Sequence, residues 1–297
     1  MIISRGEKIY RNICAVIATV IAMMCLYPLL YTVFVSFASS AEWVKKGGIM
    51  WFFPTKPTLV AYQKILGSTT VILRAIGISF VRTFLGTGLG LAVNAITAFV
   101  LSRKDLPGKK PLMYLILFTI LFSGGLIPTY LTVQNLGMKN TIWALVIPAL
   151  FNGWNILIFK QFFEGVPQEL QDAARIDGVS EVGLLFRVIL PTSKAVFAAI
   201  GLFTMVGHWN SWFDASIYLD ASHQYLWPLQ LYTKINLQNT SALNQGGLDF
   251  LINNTTSVND ITIQMALTII TILPMLIIYP FFQKYFTKGV YLGSVKG

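Results

Sequence analysis

Charge is what this chain has least of. Only 11% of its 297 residues are Asp, Glu, Lys or Arg, against about 25% in soluble domains. No hydrophilic block is long enough to make a separate soluble domain. Histidine occurs twice and acidic residues number 12, so general acid–base chemistry has little to work with. The two cysteines, Cys14 and Cys25, share one apolar run, which argues against a disulfide framework or a paired-cysteine metal site. There is no His-Glu-x-x-His stretch. Gly108-Lys109 is no phosphate-binding loop, because Arg103 stands where the first glycine is required. Gly86-Thr-Gly-Leu-Gly90 superficially resembles a nucleotide-binding loop, but it lies inside an apolar helix, where glycines four residues apart serve close helix packing. The chain is therefore read as non-catalytic, with no metal site and no means of hydrolysing ATP.

What is abundant is apolar. Hydrophobic residues make up 55% of the sequence, and the mean hydropathy is +0.65. A bilayer core is crossed by about 20 apolar residues in helical form. Such stretches lie at about 13–37, 81–102, 113–133, 141–160, 195–215 and 261–283, which predicts an all-α integral membrane protein, one transmembrane domain over 1–297 with six spans. The first run is longer than the core of a secretory signal and lacks a clean cleavage site, so it is expected to be a retained helix. The net charge of +10 would point to nucleic acid in a soluble chain; in a membrane chain it records orientation. With both termini inside, 14 of the 22 basic residues fall on the cytoplasmic side. The outer set is Lys45, Lys46, Lys56, Lys64, Arg74, Arg82, Lys139 and Lys234. Lys45, Lys46, Lys56 and Lys64 either steer an anionic solute or form a solvated surface. Asn239, Asn253 and Asn254 begin Asn-x-Thr/Ser triplets, which arise easily by chance.

The longest polar stretch between apolar spans is the loop 164–192. Pro167 stands at a helix start, Glu169 in its first turn and Arg175 in its last, and Gly178 supplies a left-handed stop. Leu170, Ala173 and Ala174 share a face of the first helix, as Val179, Val182 and Phe186 do of the second. A helix-turn-helix on a membrane surface suits docking to another protein.

This segment resembles the "EAA" loop of the membrane subunits of binding-protein-dependent ABC importers: Glu-Ala-Ala, three residues, Gly, nine residues, Ile-x-Leu-Pro. The matching residues are Asp172-Ala173-Ala174, Gly178, Val188, Leu190 and Pro191, with Asp172 in place of the usual Glu and Val188 in place of the usual Ile. Gly124-Gly-Leu-Ile-Pro-Thr-Tyr130, His208-Trp-Asn-Ser-Trp-Phe-Asp214 and the terminal Gly293-Ser-Val-Lys-Gly297 are similar to the carbohydrate-uptake branch, within which the maltose and oligosaccharide permeases fall. The resemblance covers essentially the whole chain. It implies a type I ABC importer-like fold with the 164–192 segment as cytoplasmic coupling loop. Asp172, Ala173, Ala174, Asp177, Gly178, Leu190 and Pro191 would contact an ATPase. It further implies a bacterial cell-membrane location and a second, homologous permease. Two ATP-binding subunits would hold ATP and Mg²⁺, none being bound by this chain, and an extracytoplasmic solute-binding protein would deliver a carbohydrate such as an oligosaccharide or polysaccharide fragment.

Polar residues within spans are expensive and tend to be functional. His208, Trp209, Asn210, Trp212 and Asp214 form the richest group, with Asn152, Asn155 and Tyr130 as further candidates. Aromatic faces, amides and a carboxylate suit a sugar path; an interfacial aromatic belt with interhelical hydrogen bonds is the alternative. Gly124-Gly125 with Pro128 should break or bend the third span, and Pro274 and Pro280 the last. An ion-gradient-driven secondary transporter is the alternative at the level of function. Such carriers usually show internal repeats or mid-membrane charges, and the sequence shows neither apart from His208 and Asp214.

Overall fold

The computed structural model describes residues 5–67, 70–241 and 260–293; Asn253, Asn254 and residues 294–297 lie outside them. Among the described residues every regular element is helical. Three helices are long and apolar enough to cross a bilayer, over Gly6–Ser36, Thr70–Ser102 and Ile261–Phe281. Three bent helix pairs pass the same test of length and composition together, which makes up to six spans if each pair is one.

The chain divides into two compact units. The first comprises Met1–Ile72 and Thr233–Leu273. Its helix α1 (Arg5–Ser36) is apolar on every side, and Ile9, Ile13, Ile17, Val20 and Met24 are all exposed within the chain. Burial begins only at its end, where Val35 and Ala38 pack with Trp43 of α2 (Ser40–Lys45), Met50, Ile261 and Met265. Helix α3 (Val60–Gly67) is tied back by a 2.7 Å hydrogen bond between Tyr62 and Ser36 and by the Thr58 amide on the Phe37 carbonyl. Glu42 organises the connecting loop. Its carboxylate accepts hydrogen bonds from the Thr55 amide (2.8 Å), the Thr55 hydroxyl (3.0 Å) and the Lys56 amide (3.3 Å), and pairs with Lys46 at 2.9 Å.

The second unit comprises Leu73–Tyr232 and Pro274–Gly297. It contains most of α4 (Thr70–Ser102), then α5 (Lys109–Leu121), α6 (Leu126–Asn135), a pair of 3₁₀ turns over Ile142–Leu145 and Ile147–Ala149, and α7 (Gly153–Glu164). Helices α8 (Gln168–Ile176) and α9 (Glu181–Thr192, with a π turn at Leu185–Ile189) form the polar helix-turn-helix. Next come α10 (Lys194–Asn210), α11 (Phe213–Tyr218) and the start of α12 (Leu229–Ser241). Helix α13 (Asp260–Gly293) carries Pro274 and Pro280 within it. The core joins Ala95 and Ala98 of α4, Ile156, Phe159 and Phe163 of α7, Leu184 and Ile189 of α9, and Val196 and Ile200 of α10. Phe159 packs on Phe197 with ring centroids 4.6 Å apart.

Several helices depart from the expected apolar spans, each for a local reason. Helix α4 starts at Thr70, before the expected 81, because Arg74 and Arg82 do not interrupt backbone hydrogen bonding. The stretch 113–133 is broken: α5 and α6 meet at 113° across Phe122–Gly125, where Gly125 takes φ +83°. The stretch 195–215 ends as a helix at Asn210 and resumes at Phe213. The fourth crossing opens with 3₁₀ turns and bends by 50° before α7.

The hydrogen bond from the Thr55 amide, followed by the Lys46 pair, lowers the Glu42 pKa to about 2. A depressed carboxylate stabilises fully above its ordinary pKa and loses that contribution as pH falls through the depressed value. Exchange of the Thr55 amide should therefore stay slow down to well below pH 4.5 and accelerate only as pH nears 2. Glu42→Gln should speed it at neutral pH and open Lys56 to trypsin; unchanged exchange would show the carboxylate does not hold this loop.

Candidate functional site

A cavity of about 320 Å³ lies in the second unit between α4, α7, α10 and the start of α11. Arg82 and Asn94 of α4 reach it from one side, Asn152 and Asn155 from the start of α7, and Thr204, His208, Ser211 and Asp214 from the other. Spacing along α4 explains the first group. Arg82, Gly86, Gly90, Asn94 and Ala98 recur every four residues, so they follow one stripe that winds slowly round the helix, and all are buried. At Gly86 an added Cβ would lie under 3.0 Å from three atoms of the His208 ring, so the glycine makes room for the imidazole.

Arg82 is 2% exposed. Its Nη2 donates to Asp214 and its Nη1 to the Ser211 carbonyl at 2.8 Å. The other Asp214 oxygen accepts from the Ser211 hydroxyl (2.7 Å) and the Ala215 amide (2.9 Å). This single ion pair bridges α4 to the break between α10 and α11, and it cancels the two formal charges facing the cavity. Asn94 serves the same purpose deeper in. Its Nδ2 donates to the Gly90 and Leu150 carbonyls at 2.6 and 2.9 Å, and its Oδ1 accepts the Asn152 amide at 2.9 Å. Asn152 in turn caps α7 by accepting the Asn155 amide at 3.1 Å. The lining is thus amide, hydroxyl and imidazole around a compensated ion pair, suited to hydrogen-bonding a hydroxylated solute.

Of the residues expected to face a path, the cavity gathers His208, Asp214, Asn152 and Asn155. Trp209 is buried against Phe80, with centroids 5.1 Å apart. Asn210 accepts from Gln230 at 3.2 Å, Trp212 meets Phe213 edge-on, and Tyr130 stacks on Tyr218. Arg82, Asn94 and Ser211 are cavity residues that the sequence reading did not select. A basic residue inside an apolar run was the available signal for Arg82, and four-residue spacing after Gly86 and Gly90 for Asn94.

At the far end of α4 lies the polar helix-turn-helix. Gly178 has φ +77°, which reverses the chain between α8 and α9. Asp172 accepts from Gln168 and Arg175, each at 3.1 Å. Arg175 also pairs with Glu181 at 3.1 Å. Arg103, one residue beyond α4, donates to Gln171 at 2.9 Å and to Glu181, so one guanidinium ties α4 to both helices. Ala174, Val179 and Val188 pack on the core, while Ala173, Asp177, Gly178 and Pro191 are exposed and Leu190 is half-buried. Leu170, Ile176, Val182 and Phe186 are exposed apolar residues on this small element, Ile176 at 86%.

Two stability predictions follow from the cavity. Asp214→Asn leaves Arg82 buried without its counter-charge and should lower stability by about 3–5 kcal/mol. Replacing both, Arg82→Met with Asp214→Leu, should recover most of that loss in thermal unfolding of the purified chain. A double variant no better than the single one would show that unpaired charge is not the cause. Gly86→Ala should cost about 1–3 kcal/mol by overpacking, and His208→Ala in the same chain should relieve it; equal midpoints with and without the second change would refute the contact.

No family model matches the chain. Full-length relatives do. The polygalacturonan/rhamnogalacturonan transport system permease protein YtcP of Bacillus subtilis (strain 168) is 38% identical over 276 residues, 93% of this chain and 94% of that protein. Protein LplC of the same organism is 39% identical over 277 residues, covering 93% and 91%. A crystal structure of a bacterial ABC transporter involved in the import of the acidic polysaccharide alginate superposes with a TM-score of 0.87 at 28% identity, over 95% of this chain and 98% of that one. With an all-helical, membrane-embedded fold and full-length kinship of this kind, the chain belongs to the family of permease subunits of carbohydrate ABC importers.

Proposed function

We propose that this chain forms half of the translocation path of an ATP-driven importer for an oligosaccharide or polysaccharide fragment, in the bacterial cell membrane, with both termini cytoplasmic. The observation that carries the reading is the α8–α9 element. It presents Leu170, Ile176, Val182 and Phe186 to the outside while Arg103 and the core fix it from within. A rigid element with an exposed apolar face is suited to a groove on an ATPase subunit. Asp172, Ala173, Ala174, Asp177, Gly178, Leu190 and Pro191 make up or flank that contact. ATP and Mg²⁺ are bound by two such partner subunits and none by this chain. A second, homologous permease supplies the other half of the path, and an extracytoplasmic binding protein delivers the solute. Closure of the ATPase pair moves α8–α9, and α4 carries that motion toward the cavity.

Within the path, His208, Asn152, Asn155 and Asp214 act with Arg82, Asn94 and Ser211. Trp209, Asn210, Trp212 and Tyr130 shape the surrounding wall. Compensation of Arg82 by Asp214 supports recognition of sugar hydroxyls rather than of a free anion. Kinship with ABC import permeases favours ATP-driven transport over an ion-gradient mechanism.

Gly178→Val or Asp177→Lys should abolish uptake while leaving the subunit in the membrane. A mild-detergent pull-down should then recover the second permease but less of the ATPase than the unmodified chain does. Normal uptake by either variant would sink the coupling assignment.

A further inference from the structure

A second cavity, of about 700 Å³, lies between the loop after α4 and the first turn of α5, and transport as derived above makes no use of it. Four ammonium groups line it, from Lys104, Lys109, Lys110 and Lys160. One carboxylate, Glu164, is shared by Lys109 at 3.2 Å and Lys160 at 2.8 Å. Among the described residues Lys104 and Lys110 have no ion pair, so positive charge is in excess. The start of α5 adds to it. Its N-cap is Gly108, which provides no capping side chain, and no acidic residue occupies its first turn.

The surroundings decide what kind of anion fits. Leu106 and Met113 form an apolar wall, and Tyr114 stands exposed at the rim. From there one face of α5, through Leu115, Phe118 and Phe122, remains exposed within the chain. Lysines at the head of an exposed apolar strip match an amphiphile, not a soluble anion.

We propose that this cavity seats the phosphate of an anionic phospholipid headgroup, with the acyl chains lying along Leu115, Phe118 and Phe122. The proposal rests on the topology above, which puts this loop at the cytoplasmic interface, where anionic lipid is met by basic residues. Lys104 and Lys110 are the primary phosphate ligands. Lys109 and Lys160 are held back by Glu164.

The test uses the whole transporter purified in mild detergent and incubated with phosphatidylglycerol or phosphatidylcholine of identical acyl chains, bound lipid being counted by native mass spectrometry. Phosphatidylglycerol should be retained several-fold over phosphatidylcholine, and excess inorganic phosphate should not displace it. K104Q with K110Q should remove the preference, while K45Q, in the other unit, should keep it. A preference unchanged in K104Q with K110Q overturns the proposal. So does displacement by phosphate, which would make this a soluble-anion site, or lipid binding only after the ATPase is stripped off, which would make it a partner surface. The topology is read separately, by labelling Lys110→Cys with a membrane-impermeant maleimide. Reaction in intact cells would overturn the cytoplasmic placement whatever lipid is retained.

Discussion

One buried stripe along α4 sets the terms for the rest of the second unit. A helix can approach its neighbours closely only where its own side chains are small, and in a bilayer close approach replaces the hydrophobic effect as the source of association. Gly86, Gly90 and Ala98 supply the small positions, and Arg82 and Asn94 lie on the same winding buried stripe. Both large polar residues are affordable there only because they are answered. Arg82 is met by Asp214 and the Ser211 carbonyl, and Asn94 by three backbone groups. Of these backbone groups, all but the Gly90 carbonyl lie where neighbouring helices break: Leu150 and Asn152 just before α7, and Ser211 between α10 and α11. Irregular backbone at membrane depth must find partners within the protein, and α4 provides them. The breaks and the polar stripe therefore require each other.

The same helix has a second terminus to serve. From Arg82 to Ser102 it rises about 30 Å at roughly 1.5 Å per residue, the thickness of a bilayer's hydrocarbon core. Arg82 fixes it at the cavity and Arg103, just past its end, fixes it to Gln171 and Glu181. A continuous helix held by one guanidinium within its length and by another just past its C-terminal end would carry a displacement between those two points with little loss. The bent crossings would absorb it: α5 and α6 turn by 113°, and α9 and α10 by 85°.

Legibility in the sequence followed the range of the interactions involved. The helix-turn-helix was readable because its signals are local: a cap, a charge in the last turn, a glycine with positive φ, a hydrophobic period. The break at Gly124-Gly125 was readable for the same reason. Apolar runs fell on three long helices and three bent pairs but did not mark their ends, since an apolar run does not show where a helix's hydrogen bonds stop. The break after Asn210 falls inside the expected span 195–215, and beyond it Asp214 accepts the Ser211 hydroxyl. Arg82 and Asp214 lie 132 positions apart. No local rule connects them, so Arg82 looked like one more charge at a span's mouth.

The compensated pair also constrains how a solute is held. A free guanidinium in the path would bind a carboxylate sugar tightly and release it slowly, which opposes turnover. An amide-and-hydroxyl lining binds each sugar unit through several weak contacts that break one at a time. Arg82 already gives Nη1 to the Ser211 carbonyl and Nη2 to Asp214, so an acidic solute would compete with Asp214 for the pair that links α4 to the start of α11. On the proposed path, charge on the solute would therefore be better met before or beyond the cavity, whose remaining polar lining is amide, hydroxyl and imidazole.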